Sequence, residues 1–288
     1  MKDRHSLDRR SFLLVIGVLL LSVVCVPGFA AEDGTEKPLF SFVQFTDTHM
    51  TAGDRTDKVE RAIEDVNLLR TEPRFVVVTG DLINDDKPDA SVRLYRRVFS
   101  RLEVPVYSVH GNHDNRKAFE KWLHPVNIAF DSEPYHFIVL NPITGPVGDV
   151  SEEDAPNHIV NWLENHLKSV DKDTPIIVFT HATPYRPGAD YKGLPGADSN
   201  YETALKLLKP YNVVAWFGGH FHARLHVEKD GVDYFSTGCI SNVRSNGNVP
   251  LGYRIVRVYD DHVDTVYRTI KQFREPVQAA TAGAGAGN

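Results

Sequence analysis

The sequence predicts an α/β fold, a four-layer αββα sandwich in which two mixed β-sheets pack together and helices cover their outer faces. Short apolar runs rich in β-branched and aromatic residues alternate with segments of helical periodicity, which is typical of parallel strands joined by helices. Beyond Leu225 this alternation gives way to hairpin patterns. With 42% hydrophobic and 24% charged residues among 288, the chain can bury a substantial core.

The elements of this sandwich are predicted in chain order. Five apolar runs are predicted to be strands: 39–45, 75–79, 104–109, 176–179 and 213–217. Intervening helices are indicated by apolar spacing or by a capping side chain: Val59, Ile63 and Val66 in one, Asp89 as the N-cap of a helix over 90–102, and Trp162, Leu163 and Leu167 in a third. Antiparallel hairpins are predicted from 226–229 with 232–236 and from 253–259 with 263–270.

Residues 1–30 have the features of an export signal rather than of the folded domain. Basic residues precede an apolar run over 12–26, which is shorter than the roughly 20 residues that a membrane-spanning helix needs. Small residues at Gly28 and Ala30 then offer a cleavage site for a signal peptidase. We therefore expect the mature chain to begin at Ala31.

The order Arg9-Arg10-Ser11-Phe12-Leu13 resembles the twin-arginine export signal. A general secretory signal with a chance arginine pair and an N-terminal membrane anchor are the alternatives. Twin-arginine substrates cross the membrane already folded, so a metal could be bound before export. We predict that the twin-arginine machinery is a partner of this chain and that the protein is periplasmic or secreted.

The composition excludes several classes of function. Because 38 acidic residues outnumber 32 basic ones, the formal charge is −6, and no nucleic-acid partner is expected. Cys25 and Cys239 are too few for a disulfide framework or a thiolate metal cage, so any metal must have nitrogen and oxygen ligands. The Ala/Gly tract over 278–288 is predicted to be a disordered tail. One domain over 31–277 remains.

Polar clusters lie just past the carboxyl ends of all five predicted strands, where ligands gather in open α/β sheets. A single Asp-x-His is usually a solvated loop, and a lone histidine at a strand end is usually structural. The five clusters together, in this order, are a far more specific signal of a metal site than any one of them: Asp47-Thr48-His49, Gly80-Asp81, Gly111-Asn112-His113-Asp114, His181, and Gly218-Gly219-His220-Phe221-His222.

This ordered set resembles the calcineurin-like metallophosphoesterase superfamily over residues 39–270. Within the superfamily, the chain is most similar to the bacterial class III branch of cyclic-nucleotide and glycerophosphodiester phosphodiesterases. The resemblance implies a binuclear centre bridged by Asp81, with one metal held by Asp47, His49, Asp81 and His222 and the second by Asp81, Asn112, His181 and His220. Nitrogen and oxygen ligands suit Fe, Mn, Zn or Co, and the sequence does not choose among these ions.

The resemblance also implies the chemistry. A metal pair supplies a nucleophile at neutral pH and neutralises charge on the transferring phosphoryl group. His113 would face the scissile phosphate and stabilise the transition state or protonate the leaving alkoxide. The function implied is hydrolysis of a small-molecule phosphodiester. A phosphomonoesterase with the same metals, a nuclease of the same superfamily and a non-catalytic metal-binding or interaction protein remain open.

Substrate contacts are predicted less sharply. Asn112, Arg186 and Arg224 are the candidates, and the loop over 183–200 either selects the substrate or is an ordinary surface loop. Ala182 stands where the phosphodiesterase branch often has a second histidine, which weakens a cyclic-nucleotide assignment. Histidines outside the clusters are expected to be structural at His110 and at the surface for His124, His136, His158, His166, His226 and His262.

Overall fold

The computed structural model describes residues 36–53, 56–84, 87–142, 159–187, 189–190, 198–241 and 249–272. They belong to one compact unit, Glu36–Asn288. The predicted signal peptide over 1–30 and the predicted tail over 278–288 lie outside the described residues, so the limits of the domain stay predictions. Within the described ranges, no helix is both long and apolar enough to cross a membrane.

Strands and helices alternate through most of the chain and end in two hairpins. The elements are β1 Phe40–Phe45, α1 Asp57–Asn67, β2 Val76–Val78, α2 Pro88–Phe99, β3 Val106–Ser108, α3 Arg116–Trp122, β4 Ile128–Ser132, β5 Tyr135–Val139, α4 Ile159–Leu167, β6 Ile176–Phe179, β7 Tyr185–Arg186, β8 Ala189–Asp190, α5 Asp198–Leu208, β9 Val213–Gly218, β10 Leu225–Lys229, β11 Val232–Ser236, β12 Gly252–Val258, β13 Val263–Thr269 and the 3-10 turn Ile270–Gln272.

Two mixed sheets form the centre of the molecule. The first sheet has the order β13-β12-β1-β2-β3, in which β1, β2 and β3 are parallel and β12 is antiparallel to both of its neighbours, β1 and β13. The second has the order β10-β11-β9-β6-β5-β4, in which the outer strands β4 and β10 are antiparallel to their neighbours. The predicted fold class is confirmed, and each of the five predicted runs contains a strand.

Three apolar layers hold the sandwich together. The layer between the sheets is aromatic: the Phe42 ring lies 5.6 Å from that of Phe179 and 5.5 Å from that of Phe217, both edge to face. Helices cover the outer faces, with Val59, Ile63 and Val66 of α1 packed on the first sheet and Leu163 and Leu167 of α4 on the second. The central strands β1, β2, β6 and β9 are therefore buried on both faces, which explains why their sequences are largely apolar runs.

Several predictions for single elements need correction. Asp89 is not an N-cap, because α2 begins at Pro88 and Asp89 lies inside its first turn. Its carboxylate instead accepts hydrogen bonds from Lys121 Nζ at 2.7 Å and Trp122 Nε1 at 2.8 Å, which joins α2 to α3. The β4–β5 hairpin was not predicted, since β4 is half-exposed and lacks a strong apolar pattern.

The expectation that His136 is a surface residue is also wrong. Its side chain is buried on β5, with Nδ1 2.6 Å from Asp131 Oδ1 and Nε2 2.8 Å from His166 Nε2. His124 and His166 are half-buried, and His158 lies outside the described residues. Tertiary packing, which no local pattern reports, decides these positions.

A buried ion pair joins α1 to the final hairpin. The Asp65 carboxylate accepts hydrogen bonds from Arg268 Nε at 2.7 Å and Nη2 at 2.6 Å, and from the Tyr253 hydroxyl at 2.6 Å. The Asp65 side chain is 1% exposed and the Arg268 side chain 5%. Because water is excluded from both side chains, each charge is stabilised by its protein partners and not by solvent.

We expect Asp65→Ala to lower the free energy of unfolding by about 3–5 kcal/mol, because it leaves the Arg268 guanidinium buried without a counter-charge. Glu64→Ala, on the same helix, removes an exposed partner of Arg101 and should cost less than about 1 kcal/mol. Urea denaturation of both variants measures the difference. Equal losses would show that burial does not govern the Asp65 pair.

Candidate metal centre

The seven predicted ligands meet at one edge of the sandwich. They come from both sheets: Asp47 and His49 follow β1, Asp81 follows β2 and Asn112 follows β3, while His181 follows β6 and His220 and His222 follow β9. Residues 175 positions apart are thereby brought into contact, as at Asp47 and His222. This convergence is the one expected from the strand ends, since the carboxyl ends of parallel strands lie at one edge of a sheet.

The first group of donor atoms surrounds His49 and His222, whose Nε2 atoms are 3.4 Å apart. Asp47 Oδ1 lies 3.2 Å from His222 Nε2, and Asp81 Oδ2 lies 3.6 Å from His49 Nε2. His49 Nδ1 is 3.2 Å from Asn84 Oδ1 and donates to it, which leaves the Nε2 lone pair directed at the group. Asn84 therefore orients the predicted ligand His49, a role that no pattern in the sequence predicts.

The second group surrounds His181. Its Nδ1 donates to the Thr79 carbonyl at 2.9 Å, so its Nε2 faces Asp81 Oδ2 at 3.2 Å and Asn112 Oδ1 at 3.1 Å. His220 Nδ1 also lies 3.1 Å from Asn112 Oδ1. Asp81 contributes to both groups, which is the placement that a bridging ligand requires.

These groups fit metal ions. Imidazole nitrogens of His49 and His181 lie 3.1–3.6 Å from oxygens of Asp81 and Asn112, and such pairs of lone pairs repel one another unless a proton or a metal ion lies between them. Burial acts to lower the pKa of His181, yet the Asp81 carboxylate raises that pKa well above its usual range. Although burial acts to raise the pKa of Asp81, His181 holds it below the usual range. The nitrogen and oxygen donors suit Fe, Mn, Zn or Co.

The backbone at these ligands is strained. Asp47, His49, Asp81, His220 and His222 all have positive φ angles, between 43° and 66°. Among the described residues, the one other non-glycine with positive φ is Asp230, in the β10–β11 turn. Left-handed backbone costs an L-residue about 1–2 kcal/mol, and such strain concentrates at functional sites.

Close approach of loops also demands glycine. A Cβ on Gly219 would collide with the Thr46 side chain, and a Cβ on Gly111 would collide with the Asp81 backbone. Asp114 fastens the same region, since its carboxylate accepts from the backbone N–H groups of Gly111 at 2.8 Å and Ile83 at 2.9 Å. Glycine in two of the predicted clusters is therefore a packing requirement of the site.

A cavity of about 680 Å³ opens over both groups. The predicted ligands His49, Asp81, Asn112, His220 and His222 line it, together with Asn84, His113, Arg186, Phe221, Ala223 and Leu225. Arg186 lies over the Phe221 ring, 5.1 Å from its centroid. Arg224 is not among the described lining residues, and its guanidinium packs on Tyr267 at 4.9 Å.

His113 is exposed in this cavity. Its backbone N–H donates to Asp81 Oδ1 at 2.9 Å, and its ring centroid lies 5.0 Å from that of His49. A ring nitrogen of His113 also lies close enough to His49 and Asp81 to join a ligand group. The assignment of His113 outside the metal shell therefore stays a prediction.

His110 is buried beneath the site. Its two ring nitrogens have no hydrogen-bond partner among the described residues, and burial lowers the pKa of the imidazole to about 4. Its ring packs on Phe119, 5.5 Å between centroids. A neutral, buried His110 is compatible with the predicted structural role.

We expect Asp81→Asn to reduce bound metal from about two ions per chain to one or fewer, because a neutral oxygen balances the charge of two ions poorly. Asp89→Asn, at the α2–α3 contact, is the matched control and should keep the wild-type metal content. Metal analysis of purified protein by mass spectrometry measures both. Two ions per chain in Asp81→Asn would rule out the bridging role.

Known proteins are similar to this chain in sequence and in fold. The calcineurin-like phosphoesterase family model matches residues 40–224. A probable cyclic nucleotide phosphodiesterase of Rhodopseudomonas palustris is 29% identical over 198 residues, which are 63% of this chain and 71% of the relative. A probable glycerophosphodiester phosphodiesterase GpdQ of Arcobacter nitrofigilis is 29% identical over 200 residues, covering 62% and 71%.

Solved structures agree at the level of fold. A dimetal phosphatase from Danio rerio has a TM-score of 0.62 at 17% identity and covers 81% of this chain and 97% of its own. The yellow lupin purple acid phosphatase has a TM-score of 0.58 at 12% identity, covering 86% and 58%. The family match spans every predicted ligand, from Asp47 to His222. The chain therefore belongs to the calcineurin-like phosphoesterase family, as its ordered clusters predict.

Proposed function

We propose that this protein is a binuclear phosphodiesterase that hydrolyses a small phosphodiester, with cyclic nucleotides and glycerophosphodiesters as the candidate substrates. The observation that carries this proposal is the pair of donor groups that share Asp81 at the base of one open cavity. The two relatives described above, one named for cyclic nucleotides and one for glycerophosphodiesters, support a diester substrate.

The residues of the site have different roles in the proposed reaction. When bound, the metal ions would supply the nucleophile and neutralise charge on the phosphoryl group. Asp47 and Asp81 are the carboxylates among the predicted ligands, and the neutral Asn112 adds no further negative charge. With the metal ions bound, the site would therefore keep a net positive charge, which favours binding of an anionic diester. His113, exposed at the cavity, can donate a proton to the leaving oxygen.

A phosphomonoesterase with the same centre is the second candidate, because the cavity is open and no described residue restricts it to diesters. Wild-type protein of known metal content separates the two candidates. We expect it to hydrolyse bis(4-nitrophenyl) phosphate faster than 4-nitrophenyl phosphate. A preference for the monoester would contradict the diester assignment and leave the metal centre intact.

We expect His113→Ala to retain its metal and to lose roughly 10²–10⁴ in kcat, the usual size of a general-acid contribution. The loss should be smallest for a nitrophenolate, which leaves without a proton, and largest for an alkoxide. His262→Ala, which changes an exposed histidine in the β12–β13 turn, is the matched control. Loss of metal in His113→Ala would make His113 a ligand, and equal losses for both leaving groups would limit it to charge stabilisation.

Arg186 is the better candidate for contacting the far side of the substrate, because it lines the cavity whereas Arg224 packs on Tyr267. We expect Arg186→Ala to raise KM about tenfold, the equivalent of one charged hydrogen bond, with a smaller change in kcat. Arg224→Ala should leave KM within about twofold of the wild type. The reverse order in steady-state kinetics would place Arg224 at the substrate.

Export is proposed on the N-terminal residues alone. The twin-arginine order at Arg9 and Arg10 and the short apolar run that follows support a periplasmic or secreted location. A twin-arginine route would allow the metal ions to bind the folded protein before it crosses the membrane. Normal export of the double variant Arg9→Lys, Arg10→Lys, measured by cell fractionation, would contradict a twin-arginine route.

A further inference from the structure

Gln44 is a fully buried amide in the aromatic layer between the two sheets. It lies on the same face of β1 as Phe40 and Phe42, whose rings belong to that layer, and its exposed fraction is 0%. An amide in this position costs free energy unless all of its donors and acceptors are paired. Its place in an apolar layer therefore calls for a specific role.

The Gln44 amide joins the two sheets. Its Nε2 donates to Thr79 Oγ1 at 3.0 Å, at the end of β2 in the first sheet. The same nitrogen donates to the Gly218 carbonyl at 2.9 Å, at the end of β9 in the second sheet. Its Oε1 accepts from Thr237 Oγ1 at 2.6 Å, directly after β11. Both amide hydrogens and the carbonyl are thereby used.

The network continues to a buried arginine. Arg254 Nε donates to Thr237 Oγ1 at 2.9 Å, Nη1 donates to Thr265 Oγ1 at 2.8 Å and Nη2 donates to the Ser236 carbonyl at 3.0 Å. Arg254 is 6% exposed and belongs to β12 of the first sheet. From Arg254 through Thr237 and Gln44 to Gly218, the hydrogen bonds cross from one sheet to the other three times.

The two groups that accept hydrogen bonds from the Gln44 amide nitrogen lie at the bases of two ligand-bearing loops. Thr79 precedes Asp81 by two residues, and its carbonyl accepts the hydrogen bond that orients His181. Gly218 precedes His220 by two residues, and Gln44 itself precedes Asp47 by three. Gln44 thus contacts both halves of a centre whose ligands come from different sheets.

We propose that Gln44 is a positioning residue that sets the spacing between the predicted ligands of the first sheet and those of the second, by fixing the position of one sheet against the other at their carboxyl edge. The hydrophobic effect that drives the packing of the two sheets is non-directional. The Gln44 hydrogen bonds, at 2.6–3.0 Å, require a defined distance and angle between atoms of the two sheets. This inference rests on the metal centre of the proposed function and not on the identity of the substrate.

Titration with Co²⁺, followed by its visible absorption spectrum, tests this role without a substrate. Gln44→Met keeps the size and flexibility of the side chain and removes its polar atoms. We expect it to weaken Co²⁺ binding by about 10- to 100-fold, the usual effect of removing a group that orients a ligand, and to change the spectrum of the bound ion.

Phe42→Leu is the matched control, because it changes the same strand and the same face. It removes ring contacts with Phe179 and Phe217 but no hydrogen bond, so we expect a lower denaturation midpoint with wild-type Co²⁺ affinity and spectrum. Equal loss of Co²⁺ affinity in both variants would reduce Gln44 to general packing. Wild-type Co²⁺ binding by folded Gln44→Met would overturn the proposal directly.

Thr237→Val decides the question if Gln44→Met does not fold. It removes one hydroxyl group from the middle of the network, and we expect weaker Co²⁺ binding with a changed spectrum. Wild-type affinity and spectrum in Thr237→Val would overturn the proposal. Failure of the wild-type protein to bind Co²⁺ would instead overturn the metal centre itself, and this inference with it.

Discussion

The structure depends on one constraint: two separate sheets must hold their carboxyl edges within a few ångströms of each other. Asp81 Oδ2 from the first sheet lies 3.2 Å from His181 Nε2 of the second, so this contact depends on how the two sheets are placed against each other. Aromatic rings of the central layer, among them Phe42 and Phe217, set the distance between the sheets. Directional hydrogen bonds then fix their register.

This constraint costs stability locally. Asp47, Asp81 and His181 are buried, and five ligand residues have left-handed backbone, so the site by itself opposes folding. The three apolar layers offset that cost, since each buries side chains that are separate from the ligands. Binding of metal would return part of the free energy by supplying the positive charge that the donor groups require. The site can therefore form only in a packed sandwich, whose apolar burial offsets the free-energy cost of the buried charges and the strained backbone.

The sequence predicts the site better than it predicts the elements around it. The clusters from Asp47 to His222 are recognisable because the required residue types lie together directly after apolar runs, and strand ends converge by topology. Helix caps and surface positions depend on partners that are distant in sequence. Asp89 turns to Trp122, and His136 is buried by contacts with Asp131 and His166. No local pattern contains that information.

Gln44 and Asn84 show a further limit of prediction from the sequence. Each acts through geometry that only the folded chain has, Gln44 by linking two sheets and Asn84 by orienting His49. Their positions near ligand clusters are a weak signal, because most polar residues near a cluster do nothing comparable. Position along the chain also does not show which arginine faces the cavity. Arg224 is two residues from the predicted ligand His222 and packs on Tyr267, whereas Arg186, on the short strand β7, lines the cavity. The predicted ligands converge because each follows its own strand end, while the lining of the cavity depends on which loops enclose it, and that is decided only in the folded chain.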